Sequence, residues 1–444
     1  MFDLKFNRAS FSAITQLSLP IALSMASSVL IALVDTAMNA PLGELELAAA
    51  GLTATVVMLF YSTLYGFISI ANVRMASAQG AGDEPALNRA LNIGCLMGLW
   101  VGTAGALIMG IGFLALPWLG QPVEVIEISL PYYLGIALSL IPFMIFYTAK
   151  GFFDAIDQAW LGLGIGVITL LSNIPLNYLF IHGIGRFEGM GLVGAAIATH
   201  LSYYIGIAVT LYLLRRRLAY PGGTTGADIL AMIKESIPVS VGFAGEALAF
   251  VAVGLMVGLF GAAAIAANQI ANAIGTVMYM VPLGVSIAIS ILAGQAMGRG
   301  DPDQARSLTL HAVVLSAGWM CVCAVLLSLS ASTLAHLFGP SDSVIALATG
   351  LLIAFAAMQI GDGIQSAALG GLRGMGDTRY PVLVTLLCYG FIGVPAAWIL
   401  GFYTTLGVIG LWIGYGIGLF LVGAILCRRV LKTPSSAPAA SFDS

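Results

Sequence analysis

The chain of 444 residues is 59% hydrophobic and only 8% charged, with a net charge of −3 and a mean hydropathy of +1.00. A soluble domain carries about 25% charged residues, so the composition excludes one and points to a protein that crosses a membrane many times. A membrane β-barrel is excluded too, because runs such as "LGLGIGVITLLSNIPLNYLF" do not alternate apolar and polar residues.

About 20 apolar residues are needed to cross roughly 30 Å of hydrocarbon as a helix. Twelve such stretches are predicted, at 14–38, 47–73, 91–115, 127–149, 159–182, 190–214, 232–258, 262–295, 307–335, 343–371, 380–400 and 405–427. The opening "MFDLKFNRAS" is a short basic lead before an apolar stretch too long for a signal-peptide core, which predicts an uncleaved first helix. Near the outer end of that span sits Asp35. After the second span comes "GAGD" at 80–83, a string shared with intramembrane aspartyl proteases. The polar run "EPALNR" follows at once, so a tight glycine turn is expected, with Asp83 capping the next helix.

The fifth span carries Asn173 and Asn177, four apart and so on one helix face, with Pro175 between them. Proline frees a backbone carbonyl and marks a break. The seventh span holds a single acid, Glu246, and the eighth holds Gln269 and Asn272 with Met278 and Tyr279 beyond them. "GRGD" at 298–301 repeats the earlier turn, and the tenth span places Phe355, Met358 and Gln359 just before Asp362. The five cysteines fall in or at the ends of spans and read as small apolar residues, not as a disulfide framework or metal site. The tail "KTPSSAPAASFDS" is Pro- and Ser-rich and is expected to be disordered.

With this span count every lysine and arginine except Arg186 falls on one side of the membrane. Cytoplasmic loops retain positive charge, so cytoplasmic N- and C-termini in an inner membrane are expected. The two halves also repeat each other. "LSLPIALSM" at 17–25 resembles "ESIPVSVGF" at 235–243, with Pro20 and Pro238 in register at an offset of 218. That offset also aligns "LAAAGL" with "IAANQI" and the two glycine turns, and "GLVGAAI" at 191–197 resembles "GVIGLWI" at 407–413. The division expected is a six-helix bundle over 1–214, a cytoplasmic linker over 215–231, a second bundle over 232–430 and the tail over 431–444. An even number of helices per half makes the repeats parallel, related by an axis along the membrane normal. Such a pair suits a carrier that exposes its cleft alternately to each side.

Three acids lie well within spans: Asp35, Glu246 and Asp362. An ionised carboxylate at membrane depth costs about 2.5–3.5 kcal/mol on insertion scales, so it usually faces a cavity and marks an ion or substrate path. Arg74 is the one basic residue placed at a comparable depth. A carboxyl in this setting can be neutral or charged, as a proton carrier must be. When ionised it is equally a ligand for a hard cation such as Na⁺. The candidate cation sites are Asp35 with Asn173 and Asn177 in the first half, and Glu246 with Asp362 in the second. Gln269, Asn272, Gln359, Met278, Tyr279, Met358 and Phe355 are candidates to line a cavity that receives flat apolar cations, although core packing is the more ordinary role for any one of the methionines or aromatics, and a hydrogen-bond pair that only joins helices explains Asn173 and Asn177 equally well.

"LVDTAMNAPLG", "AIAANQIANAIGTVMYMVPLGVSIAISILAGQAMGRGD" and "IQSAALGGLRGMGDTRYP" resemble the MATE (multidrug and toxic compound extrusion) family, most of all its NorM-like branch, and the resemblance runs through nearly the whole chain except the tail. It implies an all-α fold of twelve transmembrane helices in two pseudo-symmetric six-helix bundles. The implied function is an antiporter that expels organic cations in exchange for Na⁺ or H⁺. By position, Asp35 resembles the acid of the N-terminal half, with Asn173 and Asn177 as companions, and Glu246 and Asp362 resemble the cation-site acids of the C-terminal half. One departure is Met358, where relatives often carry an aromatic residue. The expected partners are cationic amphipathic small molecules and the lipid bilayer. No nucleic acid, enzymatic activity or cofactor beyond the coupling ion is expected, and one chain suffices as a functional monomer. The competing class is a lipid-linked glycan flippase of similar plan, whose anionic substrate would call for several basic residues in the cleft.

Overall fold

A computed structural model describes residues 8–119, 123–185, 187–218, 224–339 and 341–432. Lys5, Arg186, linker residues 219–223 and the tail from residue 433 lie outside the described residues. The described residues are almost all helical because a backbone in hydrocarbon must satisfy its own polar groups. In order, the helices are α1 (Arg8–Asn39), α2 (Glu44–Ala81), α3 (Glu84–Gly112), α4 (Val123–Ala155), α5 (Ala159–Asn177), α6 (Leu192–Leu218), α7 (Gly226–Gly258), α8 (Ala262–Gly298), α9 (Pro302–Phe338), α10 (Asp342–Gly374), α11 (Arg379–Cys388), α12 (Val394–Phe402) and α13 (Gly407–Lys432). A π-helical turn at Tyr389–Gly393 joins α11 and α12 into one span, so the described helices make twelve crossings.

Most helices run beyond the predicted apolar spans; α2 continues to Ala81, well past the expected end at 73. The extra turns are polar-flanked and end on specific caps. Gly82 and Gly300 adopt φ of +70° and +74°, conformations open to glycine at little cost. The next residues then cap the following helices: the Asp83 carboxylate accepts from the Ala86 N–H at 2.9 Å, and that of Asp301 from the Gln304 N–H at 2.8 Å. Both acids are exposed caps, as the glycine-turn reading expected. Pro175 does not end α5. The helix runs on to Asn177 and then widens into a π-helical turn at Tyr178–His182, a common way to absorb a local disturbance of helical bonding. The described strands are a two-residue pair, Gly183–Ile184 against Phe187–Glu188.

The helices pack as two compact units, one drawn from Leu23–Ala244 and the other from Met1–Ala22 with Gly245–Ser444. The sequence division at 214 and 232 follows the chain, whereas the packing divides α1 after Ala22 and α7 after Ala244. Close backbone approach explains where the divided pieces sit. In the first unit Gly66 of α2 meets the backbone of Ser240 on α7, and in the second Gly284 of α8 meets that of Ala22 on α1. The two glycines, and the two residues they meet, are each related by the 218-residue offset of the repeat. Around the first contact, Ile70 and Ala71 of α2, Ile93 and Met97 of α3, and Met232 and Val239 of α7 form a buried cluster. The second unit has a larger core in which Phe355, Trp412 and Tyr415 are buried among leucines, valines and alanines. Large apolar side chains such as Leu107, Ile111, Val322 and Leu329 remain exposed, as suits surfaces that meet lipid.

Candidate functional site

In the unit of Leu23–Ala244, Asp35 projects from α1 toward α5. The Asn177 amide donates to Asp35 Oδ1 and also to Asn173 Oδ1, the latter at 2.9 Å. Thr199 of α6 also lies beside Asp35, with its hydroxyl donating to the Ala195 carbonyl at 3.0 Å. Both asparagines are fully buried, and Asn177 Oδ1 has no partner. Turning that amide over would aim a second oxygen at the carboxylate, and amide orientation is set by such networks. The three sequence candidates of this half therefore meet, and their donor set suits a small hard cation. Beside them stands an aromatic wall that the sequence reading did not identify. Tyr61 stacks on Phe143 at 4.3 Å between centroids, Phe143 meets Tyr147 and Tyr203, and the charge of Asp35 reaches Tyr61 and Tyr203.

In the other unit, Glu246 of α7 accepts a hydrogen bond from Gln365 Nε2 of α10 at 3.4 Å. Gln365 in turn accepts from the Tyr389 hydroxyl. Tyr389 stacks on Tyr415 with centroids 5.4 Å apart and an interplanar angle of 17°. Asp362 and Glu246 act on each other electrostatically, and both charges reach Tyr279, Tyr389 and Tyr415. The site thus combines two carboxylates with three tyrosine rings. Aromatic faces attract cations, so Tyr279, Tyr389 and Tyr415 supply what Met358 does not.

The other cavity candidates divide. Gln359 is buried and donates to the Gly275 carbonyl at 3.0 Å, a bond that ties α10 to α8. Asn272 keeps a buried Oδ1 with no partner, while Gln269 is exposed and its neighbour Asn268 bonds Trp412 Nε1 at 2.9 Å. Phe355 packs on Trp412, Met358 lies against Gly416, and Met278 packs against the same core. All three take part in helix packing.

The repeat reappears in these contacts. Ser28 of α1 bonds Tyr147 of α4 at 2.6 Å, with a sequence separation of 119. Glu246 and Gln365 have the same separation, and each lies 218 residues beyond its counterpart. Tyr61 and Tyr279 are related by that offset as well. One interhelical position thus carries a hydroxyl pair in one unit and a carboxylate–amide pair in the other.

Buried charge extends further than the sequence indicated. Arg74, expected near membrane depth, donates to Glu235 of α7 at 2.7 Å through Nε. Lys150, assigned to a loop, lies inside α4 and bonds Asp154 at 3.1 Å, with side-chain exposures of 3% and 4%. Their i, i+4 spacing was the signal available. Removing one partner of such a pair leaves an uncompensated buried charge. Lys150→Met is expected to destabilise the protein by about 3–5 kcal/mol, and Lys150→Met with Asp154→Leu to recover most of that loss. Thermal melting of the purified protein in detergent measures both, and equal destabilisation by the single and double variants would contradict it.

The MatE family model matches residues 20–179 and again 238–399, one copy for each half, with both matches beginning at the paired prolines. The chain belongs to the MatE family. Among curated relatives it is 32% identical over 441 residues to the probable multidrug resistance protein NorM of Rhodopseudomonas palustris, covering 96% of this chain and 92% of that one. It is 32% identical over 445 residues to the multidrug resistance protein NorM of Burkholderia vietnamiensis, covering 95% and 94%. Among solved structures, the eukaryotic MATE transporter AtDTX14 superposes with a TM-score of 0.89 at 19% identity, covering 98% of each chain. An outward-facing MATE family transporter of the MOP superfamily gives 0.84 at 22% identity, covering 96% and 97%. The fold is therefore that of a multi-pass MatE membrane protein, as the sequence resemblance implied.

Proposed function

We propose that this MatE protein is a multidrug efflux antiporter that exports organic cations in exchange for Na⁺ or H⁺. The observation that carries this reading is the pairing of Glu246 and Asp362 with the rings of Tyr279, Tyr389 and Tyr415. Carboxylates answer the charge of the substrate, and aromatic faces accept a flat apolar cation without specific hydrogen bonds. Such a site discriminates by charge and shape, which suits a wide substrate range. The names of the NorM relatives support the same direction.

The second group, Asp35 with Asn173, Asn177 and Thr199, is richer in oxygen donors and fits the coupling ion better. A carrier alternates access, so the ion arriving from outside lowers the affinity for substrate at the acids, and the substrate leaves. One positive charge moving inward releases about 2.3 kcal/mol per 100 mV. The termini are placed in the cytoplasm of an inner membrane, following the basic loops, with one chain as the working unit. A glycan flippase would need several basic side chains at its site; among the described residues of that unit, Arg373 is the one buried lysine or arginine.

The test is ethidium transport by proteoliposomes. At fixed pH, an imposed Na⁺ gradient is expected to drive ethidium uphill if Na⁺ couples, and a pH gradient at fixed Na⁺ if H⁺ does. Ethidium movement under neither gradient would overturn the antiport reading.

A further inference from the structure

Beside the acid pair lies a positive charge that the antiport reading does not use. Arg373, in the last turn of α10, is only 4% exposed. A guanidinium is rarely buried unless other groups answer its charge. Its Nη2 donates to Ser286 Oγ of α8 at 3.3 Å. That hydroxyl donates to the Ser366 carbonyl at 2.6 Å, and Ser366 follows Gln365, the residue bonded to Glu246. Helical side chains lean toward the N-terminus, so the Arg373 side chain runs back along α10 toward Gln365 and the acids. Its charge reaches Glu246 and Tyr279.

Two carboxylates in a poorly hydrated site would hold a cation too firmly for rapid turnover, and transport requires that binding be weak enough for release. We propose that Arg373 is a tethered counter-cation of Glu246, whose fixed charge lowers the acid pair's affinity for a free cation and so permits its release. This inference rests on the reading that these acids bind the transported cation. Arg373 acts here as a positioning residue through the acids, without touching the substrate itself.

The experiment measures ethidium binding by fluorescence anisotropy to purified protein in lipid nanodiscs. Arg373→Gln is expected to lower Kd on the order of tenfold, because it removes the guanidinium's repulsion of a bound cation. Arg373→Lys, which keeps the charge, is expected to stay near wild type. In a Glu246→Gln, Asp362→Asn background the Arg373→Gln effect should largely vanish. Ser286→Ala, which removes the hydrogen bond from Arg373, is expected to shift Kd the other way, upward about twofold to threefold as the charge approaches Glu246. It serves also where Arg373→Gln does not fold. Unchanged or weaker binding by Arg373→Gln, an equal effect in the acid-free background, or no shift in Ser286→Ala would each overturn the proposal while leaving the antiport reading intact. Wild type that binds no ethidium, or binds it as well without the two acids, would overturn the antiport reading and this inference with it.

Discussion

Cells carrying Glu246→Gln or Asp362→Asn are expected to expel ethidium at least about tenfold more slowly than cells carrying the wild type. Each change keeps the side-chain volume and removes one negative charge, so the fold should persist while the attraction for a cation falls. Two opposite charges 4 Å apart interact by about 4 kcal/mol at an effective dielectric constant near 20, far more than a tenfold effect requires. Glu246→Gln also retains an acceptor for Gln365, now 3.4 Å from the carboxylate, which separates the role of charge from that of the hydrogen bond. Asp35→Asn should behave differently. If that group holds the coupling ion, its loss should abolish gradient-driven transport while leaving equilibrium binding of ethidium at the tyrosine-lined acids nearly intact. The checks are efflux rate for the first pair and binding together with transport for Asp35→Asn. Wild-type efflux in both Glu246→Gln and Asp362→Asn cells would remove these acids from the mechanism.

Gly66→Leu and Gly284→Leu are expected to abolish recovery of monodisperse protein. A Cβ at Gly66 would lie 2.5 Å from both Cα and N of Ser240, and one at Gly284 would lie 2.9 Å from Cα and N of Ala22. In both cases the obstacle is helix backbone, which cannot rotate aside as a side chain can. Overpacking a core typically costs about 1–3 kcal/mol when side chains can adjust, and here the helices themselves must separate. Small residues at such crossings are how membrane helices approach closely. Gly51, with nothing within 4 Å of its added Cβ, is the matched control in α2, and Gly254 is the control in α7. Size-exclusion chromatography of the four leucine variants checks the result. Recovery of Gly66→Leu equal to that of Gly51→Leu would show that this contact is dispensable.

Much of the architecture is legible in the chain before any coordinates. Span length and hydropathy are one-dimensional quantities, so the twelve crossings follow from local composition. The 218-residue repeat is legible for the same reason, as are the caps at Asp83 and Asp301, which depend on a glycine turn and three residues of helix. Asp35, Glu246 and Asp362 stand out because a carboxylate is costly in hydrocarbon wherever its helix turns. Asn173 and Asn177 could be paired through their spacing, and α5 indeed presents both toward Asp35.

What each acid meets was decided elsewhere. A helix that is apolar all round has no polar stripe to show which face turns inward. The sequence therefore offered Phe355 and Met358 and passed over Tyr389 and Tyr415, whose rings feel the charges of Glu246 and Asp362. Lys150 and Arg373 looked like loop cations because they lie near the ends of apolar runs, yet interhelical packing buries both. The sequence by itself determined the membrane class, the span count, the repeat and the three acids, all properties of local composition or of register along the chain. Only the tertiary structure decided the partners of those acids, the assignment of each half of α1 and α7, and the buried Arg373, because these depend on which helix faces touch between residues far apart in sequence.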